Sequence, residues 1–76
     1  MAVSVYTTPT CSYCNMVKSY LKEHGVRFDE YNVAQDLRRA DEMVKKSGQM
    51  GVPVVDINGR VIVGFNKSEI ERALKR

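Results

Sequence analysis

Apolar positions change period several times along this chain, and each change marks an element. Val3-Ser4-Val5-Tyr6 is short and β-prone, and Thr7-Thr8-Pro9-Thr10 closes it, so a buried first strand is predicted. From Cys11 to about His24 the spacing turns helical, with Cys14, Val17 and Leu21 on one face and Gly25 as the stop. Thr10 is placed to cap this helix with its hydroxyl. Arg27-Phe28-Asp29-Glu30-Tyr31-Asn32-Val33 mixes aromatic and β-branched residues with charges, which predicts a second strand with one wet face. Asp36 offers the next N-cap, and Leu37, Ala40 and Val44 form an apolar stripe that ends near Gly48. Lys45 and Lys46 near its end suit the helix dipole.

Val54-Val55-Asp56-Ile57 and Arg60-Val61-Ile62-Val63 flank Asn58-Gly59, the pattern of an antiparallel hairpin closed by a type I′ turn. A last helix follows. Asn66 is its cap, Glu69 the residue that reaches back, and Phe65 the staple onto Ile70. Ile70, Ala73 and Leu74 supply its core face. The order is β-α-β-α-β-β-α, an α/β chain. Its first strand–helix–strand unit implies a right-handed parallel crossover. The hairpin adds antiparallel strands, giving a mixed four-stranded sheet flanked by three helices. At 76 residues there is room for one domain, 1–76, without repeats or linkers.

A formal charge of +3 changes little, because basic residues are scattered among acids, as in Glu69-Ile70-Glu71-Arg72. The basic runs and interleaved aromatics of a nucleic-acid surface are missing. No apolar run approaches the roughly 20 residues of a membrane helix. Met1-Ala2-Val3-Ser4-Val5-Tyr6 lacks a basic region followed by an apolar core, so a cytoplasmic address is expected.

The two cysteines change the picture most. Cys11 and Cys14 sit three apart in Thr10-Cys11-Ser12-Tyr13-Cys14, where strand gives way to helix. A disulfide across so small a loop removes little unfolded-state entropy, so it is a poor staple. A closed zinc site needs four ligands, and the chain offers two cysteines and His24. Reactivity is the better use. The thiolate attacks disulfides, and a helix start favours it through unpaired N–H groups and the dipole. Cys14, a turn inside, has less of that help and more burial. Cys11 is therefore expected to attack and Cys14 to resolve. Helical side chains three apart stand wider than a disulfide allows, so Cys11 must lie in a looser first turn.

A C-x-x-C opening the first helix, with Gly51-Val52-Pro53 before the third strand and Gly64-Phe65 after the hairpin, resembles the glutaredoxin family of the thioredoxin-like fold. The resemblance spans nearly the whole chain and extends to the ribonucleotide-reductase redoxins. It implies a cis Val52-Pro53 bond beside Cys11. That geometry presents the Val52 backbone to an extended peptide or to glutathione, in the manner of strand addition. It also implies substrate contacts at Thr10, Tyr13, Val52, Pro53, Gly64 and Phe65. The partners it implies are disulfide-containing proteins and either glutathione or a thioredoxin-reductase-type flavoenzyme. A monomer with no tightly bound cofactor is expected.

Departures from the family pattern carry information. Ser12 stands where glutaredoxins usually have proline, and Thr8 where glutathione users carry lysine. Their Gly-Gly and following acids are replaced by Gly64-Phe65-Asn66-Lys67-Ser68, and a cation at Lys67 cannot pair with an ammonium. These changes favour the flavoenzyme. Tyr13 matches the glutathione users, and Arg38 or Arg39 is available for a glutathione carboxylate. The rival assignment is a dimer bridging an iron–sulfur cluster through Cys11, with glutathione as co-ligand. Among the remaining residues, His24 is expected at a helix end, Met43 in the core or at its rim, and Met50 beside Val52 on a groove.

Overall fold

The computed structural model describes residues 2–75. Its elements follow the expected order: β1 (Val3–Thr7), α1 (Ser12–Glu23), β2 (Asp29–Asn32), α2 (Leu37–Ser47), β3 (Val54–Ile57), β4 (Arg60–Val63) and α3 (Lys67–Leu74). The strands form one sheet in the order β2-β1-β3-β4. β1 runs parallel to β2, with Val5 opposite Glu30, and antiparallel to β3, with Val5 opposite Val55. β3 and β4 form the predicted hairpin, with Ile57 opposite Arg60. Asn58 and Gly59 both take positive φ, 52° and 91°, as a type I′ turn requires.

Period-two alternation sorts the strand residues into two layers. Val5, Val55, Ile57 and Ile62 enter one layer with Val17, Leu21 and Ile70, so α1 and α3 cover that face. Tyr6 and Val54 point the other way and meet Met43 of α2. The α2 face also holds a polar network. The Tyr6 hydroxyl donates to the Glu42 carboxylate, and Lys46 Nζ donates to Tyr6 Oη at 2.8 Å and Asp56 Oδ2 at 2.7 Å. Burial works against the Lys46 ammonium, but the bonds to Asp56 and Tyr6 more than offset it, leaving its pKa above the usual lysine range. Among the described residues, no buried side-chain nitrogen or oxygen lacks a partner.

Three sequence expectations are corrected. The buried residue of α2 is Met43, 2% exposed, whereas Leu37 is 78% exposed. Leu37 is the first helical residue after the Asp36 cap, so it sits at the rim, before α2 reaches the sheet. The second strand covers Asp29–Asn32 and not Arg27–Val33, because its partner among the described residues, β1, ends at Thr7 opposite Asn32. Phe28 instead packs against the core layer beneath α1. In α3, Asn66 accepts from the Glu69 N–H at 3.2 Å, but the reciprocal half of the capping box is replaced. The Glu69 carboxylate turns to Arg60 at 2.8 Å and Arg72 at 3.3 Å.

Candidate active site

β1 delivers the chain to the cysteine pair. After Thr7 the backbone turns, and Cys11 becomes the N-cap of α1 with extended φ −105° and ψ 109°. Its sulfur accepts the Cys14 N–H at 3.1 Å. Thr10 is therefore not the cap. A cap side chain serves the N–H three residues on, and with the helix opening at Ser12 that geometry selects Cys11. Thr10 lies one residue too early and is exposed. Because Cys11 is outside the helical backbone, the pair escapes the wide spacing of two helical positions. A donated N–H at the positive end of a helix is an arrangement that supports negative charge on sulfur.

The two sulfurs differ sharply in access. Cys11 is partly exposed, and Cys14 is 0% exposed. Burial first, then the hydrogen bond with Cys11, push the Cys14 thiol up to about 12, against smaller opposing effects of the Thr8 backbone and Lys18.

A second segment closes over Cys11. The Val52-Pro53 peptide is cis, and the Val52 carbonyl oxygen accepts from Cys11 Sγ at 3.9 Å. Pro53 is fully buried, and its carbonyl accepts the Gly64 N–H at 2.9 Å. Gly64 has φ 79°, in the left-handed region, so this brace between loop and hairpin favours glycine. Cys11, Val52, Pro53 and Gly64 are thus linked into one unit.

Other expected contacts fall around that unit less evenly. Tyr13 is 62% exposed in the first turn of α1, one residue before Cys14. Phe65 turns its edge to Tyr20 at 6.3 Å and packs on the layer that includes Ile70, as the staple requires. Met50, 82% exposed, precedes Gly51-Val52 on the loop. His24 lies at the far end of α1, stacked on Tyr20 at 4.1 Å with Nδ1 2.8 Å from the Tyr20 carbonyl. A concavity lies at that same far end, between Tyr20, His24, Arg27 and Leu74. Disulfide exchange needs an accessible sulfur and not an enclosed cavity, so the sulfur geometry locates the site.

One cluster escaped the sequence. Thr7 Oγ1 at 3.1 Å and Lys18 Nζ at 2.8 Å both donate to Glu30 Oε2, joining β1, α1 and β2 one helical turn along from the buried cysteine. The hydrogen bond from Lys18 is the foremost reason the Glu30 carboxyl is held below its ordinary pKa. The available signal was Lys18 at four residues from Cys14, on the same helical face.

Comparison with known proteins agrees with this geometry. The glutaredoxin family model matches residues 3–62. A glutaredoxin-like 8.6 kDa protein from the rubredoxin operon of Clostridium pasteurianum is 45% identical over 74 residues, 97% of this chain and 99% of that protein. Glutaredoxin 3 of Escherichia coli is 37% identical over 62 residues, 82% of this chain and 75% of the other. The solved structure of the glutaredoxin-like NrdH-redoxin from Escherichia coli, described as having a thioredoxin-like activity profile, superimposes with a TM-score of 0.84. It is 28% identical, with 100% of this chain and 97% of that one covered. A mixed sheet of the thioredoxin-like type, a cysteine pair at the mouth of α1 and a family match over most of its length converge: the chain belongs to the glutaredoxin family of thiol–disulfide redox proteins.

Proposed function

We propose that this protein is a dithiol–disulfide oxidoreductase in which Cys11 attacks and Cys14 resolves. The observation that carries this reading is the opposite access of the two sulfurs, one partly exposed at the helix cap and one fully buried beneath it. Cys11 thiolate attacks a substrate disulfide. One S–S bond forms, the substrate S–S bond breaks, and the departing thiolate takes a proton. Cys14 then gives up its proton and, as thiolate, displaces the second substrate sulfur, which takes a proton, so the pair is left oxidised with the substrate as a dithiol. An external reductant supplies two electrons and two protons to restore Cys11 and Cys14.

Substrates are disulfide-containing proteins, presented as an extended segment along the Val52 backbone. Tyr13, one residue before Cys14, and Met50, two residues before Val52, offer exposed apolar side chains to such a segment. The reductant favoured here is a thioredoxin-reductase-type flavoenzyme. Thr8 and Lys67 support it, since neither supplies what a bound glutathione needs, and Lys67 Nζ instead stands 5.9 Å over the Tyr20 ring. The thioredoxin-like activity profile described for the NrdH-redoxin of Escherichia coli points the same way. A monomer in the cytoplasm, where thiols are kept reduced, suits this cycle. No described helix is long and apolar enough to cross a membrane.

The deciding experiment compares turnover of a test disulfide with thioredoxin reductase plus NADPH against glutathione plus its reductase. Turnover with the first and little with the second is expected. Competence with glutathione alone would overturn the weight placed on Thr8 and Lys67. A coloured species of doubled mass after anaerobic reconstitution with iron and sulfide would instead support the cluster-bridged dimer.

A further inference from the structure

The resolving step poses a problem that the cysteines alone do not answer. Cys14 must attack as a sulfur anion, yet it has no contact with solvent. In the balanced step the Cys14 lone pair forms the new S–S bond to Cys11. The Cys11–substrate bond breaks, its electron pair leaves on the substrate sulfur, and the proton lost by Cys14 ends there. Any group that favours negative charge on Cys14 as this proton departs speeds the step.

Lys18 is placed to do this. It follows Cys14 by four residues, one turn along the same face of α1. Its side chain is only 23% exposed, and its ammonium is fixed by Glu30 Oε2 at 2.8 Å. The same oxygen accepts from Thr7, a residue 2% exposed on the strand that leads to the cysteines. A surface lysine would sweep through solvent. This one is tethered to the edge strand, and its charge bears on Cys14. The titratable or charged groups that face Cys14 are Cys11 at the cap of its helix and Lys18 on the helix itself, with Glu30 entering from β2 through Lys18. The loop from Gln49 to Pro53 carries none.

We infer that Lys18, held by a Glu30 carboxylate that Thr7 also anchors, is a positioning residue for the second half of the exchange, setting the readiness of Cys14 to resolve the mixed disulfide. The inference rests on the roles proposed for the two cysteines. Its chemistry is electrostatic: a tethered cation behind a buried sulfur lowers the barrier to ionising it. Glu30 keeps the cation in place and does not itself touch the reacting sulfurs.

The test separates the two half-reactions. In a Cys14→Ser background, the rate of mixed-disulfide formation at Cys11 with a chromogenic aromatic disulfide reads the first step alone. In the dithiol protein, rapid-quench mass spectrometry reads the decay of the same intermediate. Lys18→Met should leave the first rate unchanged and slow the second about three- to tenfold near neutral pH, with its pH profile moved upward by about half to one unit. Lys18→Arg should restore both the rate and the profile. Unchanged resolution in Lys18→Met overturns the inference. So does equal slowing by Lys18→Met and Lys18→Arg, which would mark a packing role, or equal slowing of both half-reactions. If the Cys14→Ser protein forms no adduct at Cys11, the cysteine roles fall first and this inference with them.

Discussion

Cys11 Sγ and the Val52 carbonyl oxygen stand 3.9 Å apart, although 41 residues separate them in the chain. That contact puts an accessible sulfur against a backbone edge, which is what the proposed docking of a substrate disulfide along the loop requires. On the other side the sulfur receives the Cys14 N–H at 3.1 Å. One cysteine is thereby framed by a loop and a helix mouth, and the other is sealed beneath it.

This asymmetry predicts unequal consequences of removing either sulfur. Cys11→Ser should abolish turnover of protein disulfides. Cys14→Ser should accumulate a mixed disulfide at Cys11 and retain at most monothiol deglutathionylation. Intact-mass measurement after brief exposure to a substrate disulfide checks both. Equal, partial losses from the two substitutions would contradict the assignment.

Access and acidity together predict selective labelling and an alkaline limb of stability. Brief treatment of the reduced, folded protein with iodoacetamide at neutral pH should modify Cys11 and spare Cys14. Cys14 in the folded state is pushed up to about 12 from an ordinary 9.0, with burial the largest cause. Above the ordinary value the unfolded chain loses this proton while the folded one keeps it, so stability must fall as pH rises. The slope attributable to Cys14 is at most that of one proton, and it acts between these two values. Urea unfolding from pH 8 to pH 11 should show a shallower fall in Cys14→Ser than in the reduced wild type. Parallel curves would sink the prediction.

The α2 face predicts a contrast between two apolar residues of one helix. Met43→Ala opens a cavity against Tyr6 and Val54 and should cost about 2–4 kcal/mol. Leu37→Ala removes an exposed side chain and should change stability by about 0.5 kcal/mol or less. Chemical denaturation of the two variants decides it, and similar losses would show that Leu37 is covered in solution.

Acid should loosen the same face. The hydrogen bond from Tyr6, then those from Arg39, hold the Glu42 carboxyl below its ordinary value of 4.5. A depressed carboxyl contributes stability that is present above the unfolded value and lost as pH falls through the folded one. Glu30 acts with the same sign. Thermal midpoints measured from pH 6 to pH 3 should fall less steeply for Glu42→Gln than for wild type. An identical acid limb in both proteins would remove Glu42 as a contributor.

Much of the fold was legible because its signals are local. Asn58-Gly59 names its turn through the positive φ that both positions need, and Gly48 ends α2 at φ 75° for the same reason. Asp36 and Asn66 cap the helices that follow them, as short polar side chains before an apolar period should. The cysteine spacing and its place between strand and helix were enough to indicate redox chemistry. Where the sequence misled, the deciding partner was remote. Leu37 fits the apolar stripe of α2, but the sheet lies under Met43. The length of β2 was set by where β1 ends.

The chain by itself therefore determined the order of elements, the hairpin turn and the caps of α2 and α3, and it placed a cysteine pair where strand gives way to helix, since each depends on neighbours within a few residues. Tertiary structure decided how completely Cys14 is sealed while Cys11 stays open. It also decided that Cys11 and not Thr10 caps α1, that Cys11 Sγ stands 3.9 Å from the Val52 carbonyl oxygen, and that Lys18 is tied to Glu30. Burial and long-range hydrogen bonds arise only when the sheet brings distant segments together, and no local pattern of residues encodes how deep a side chain will finally lie.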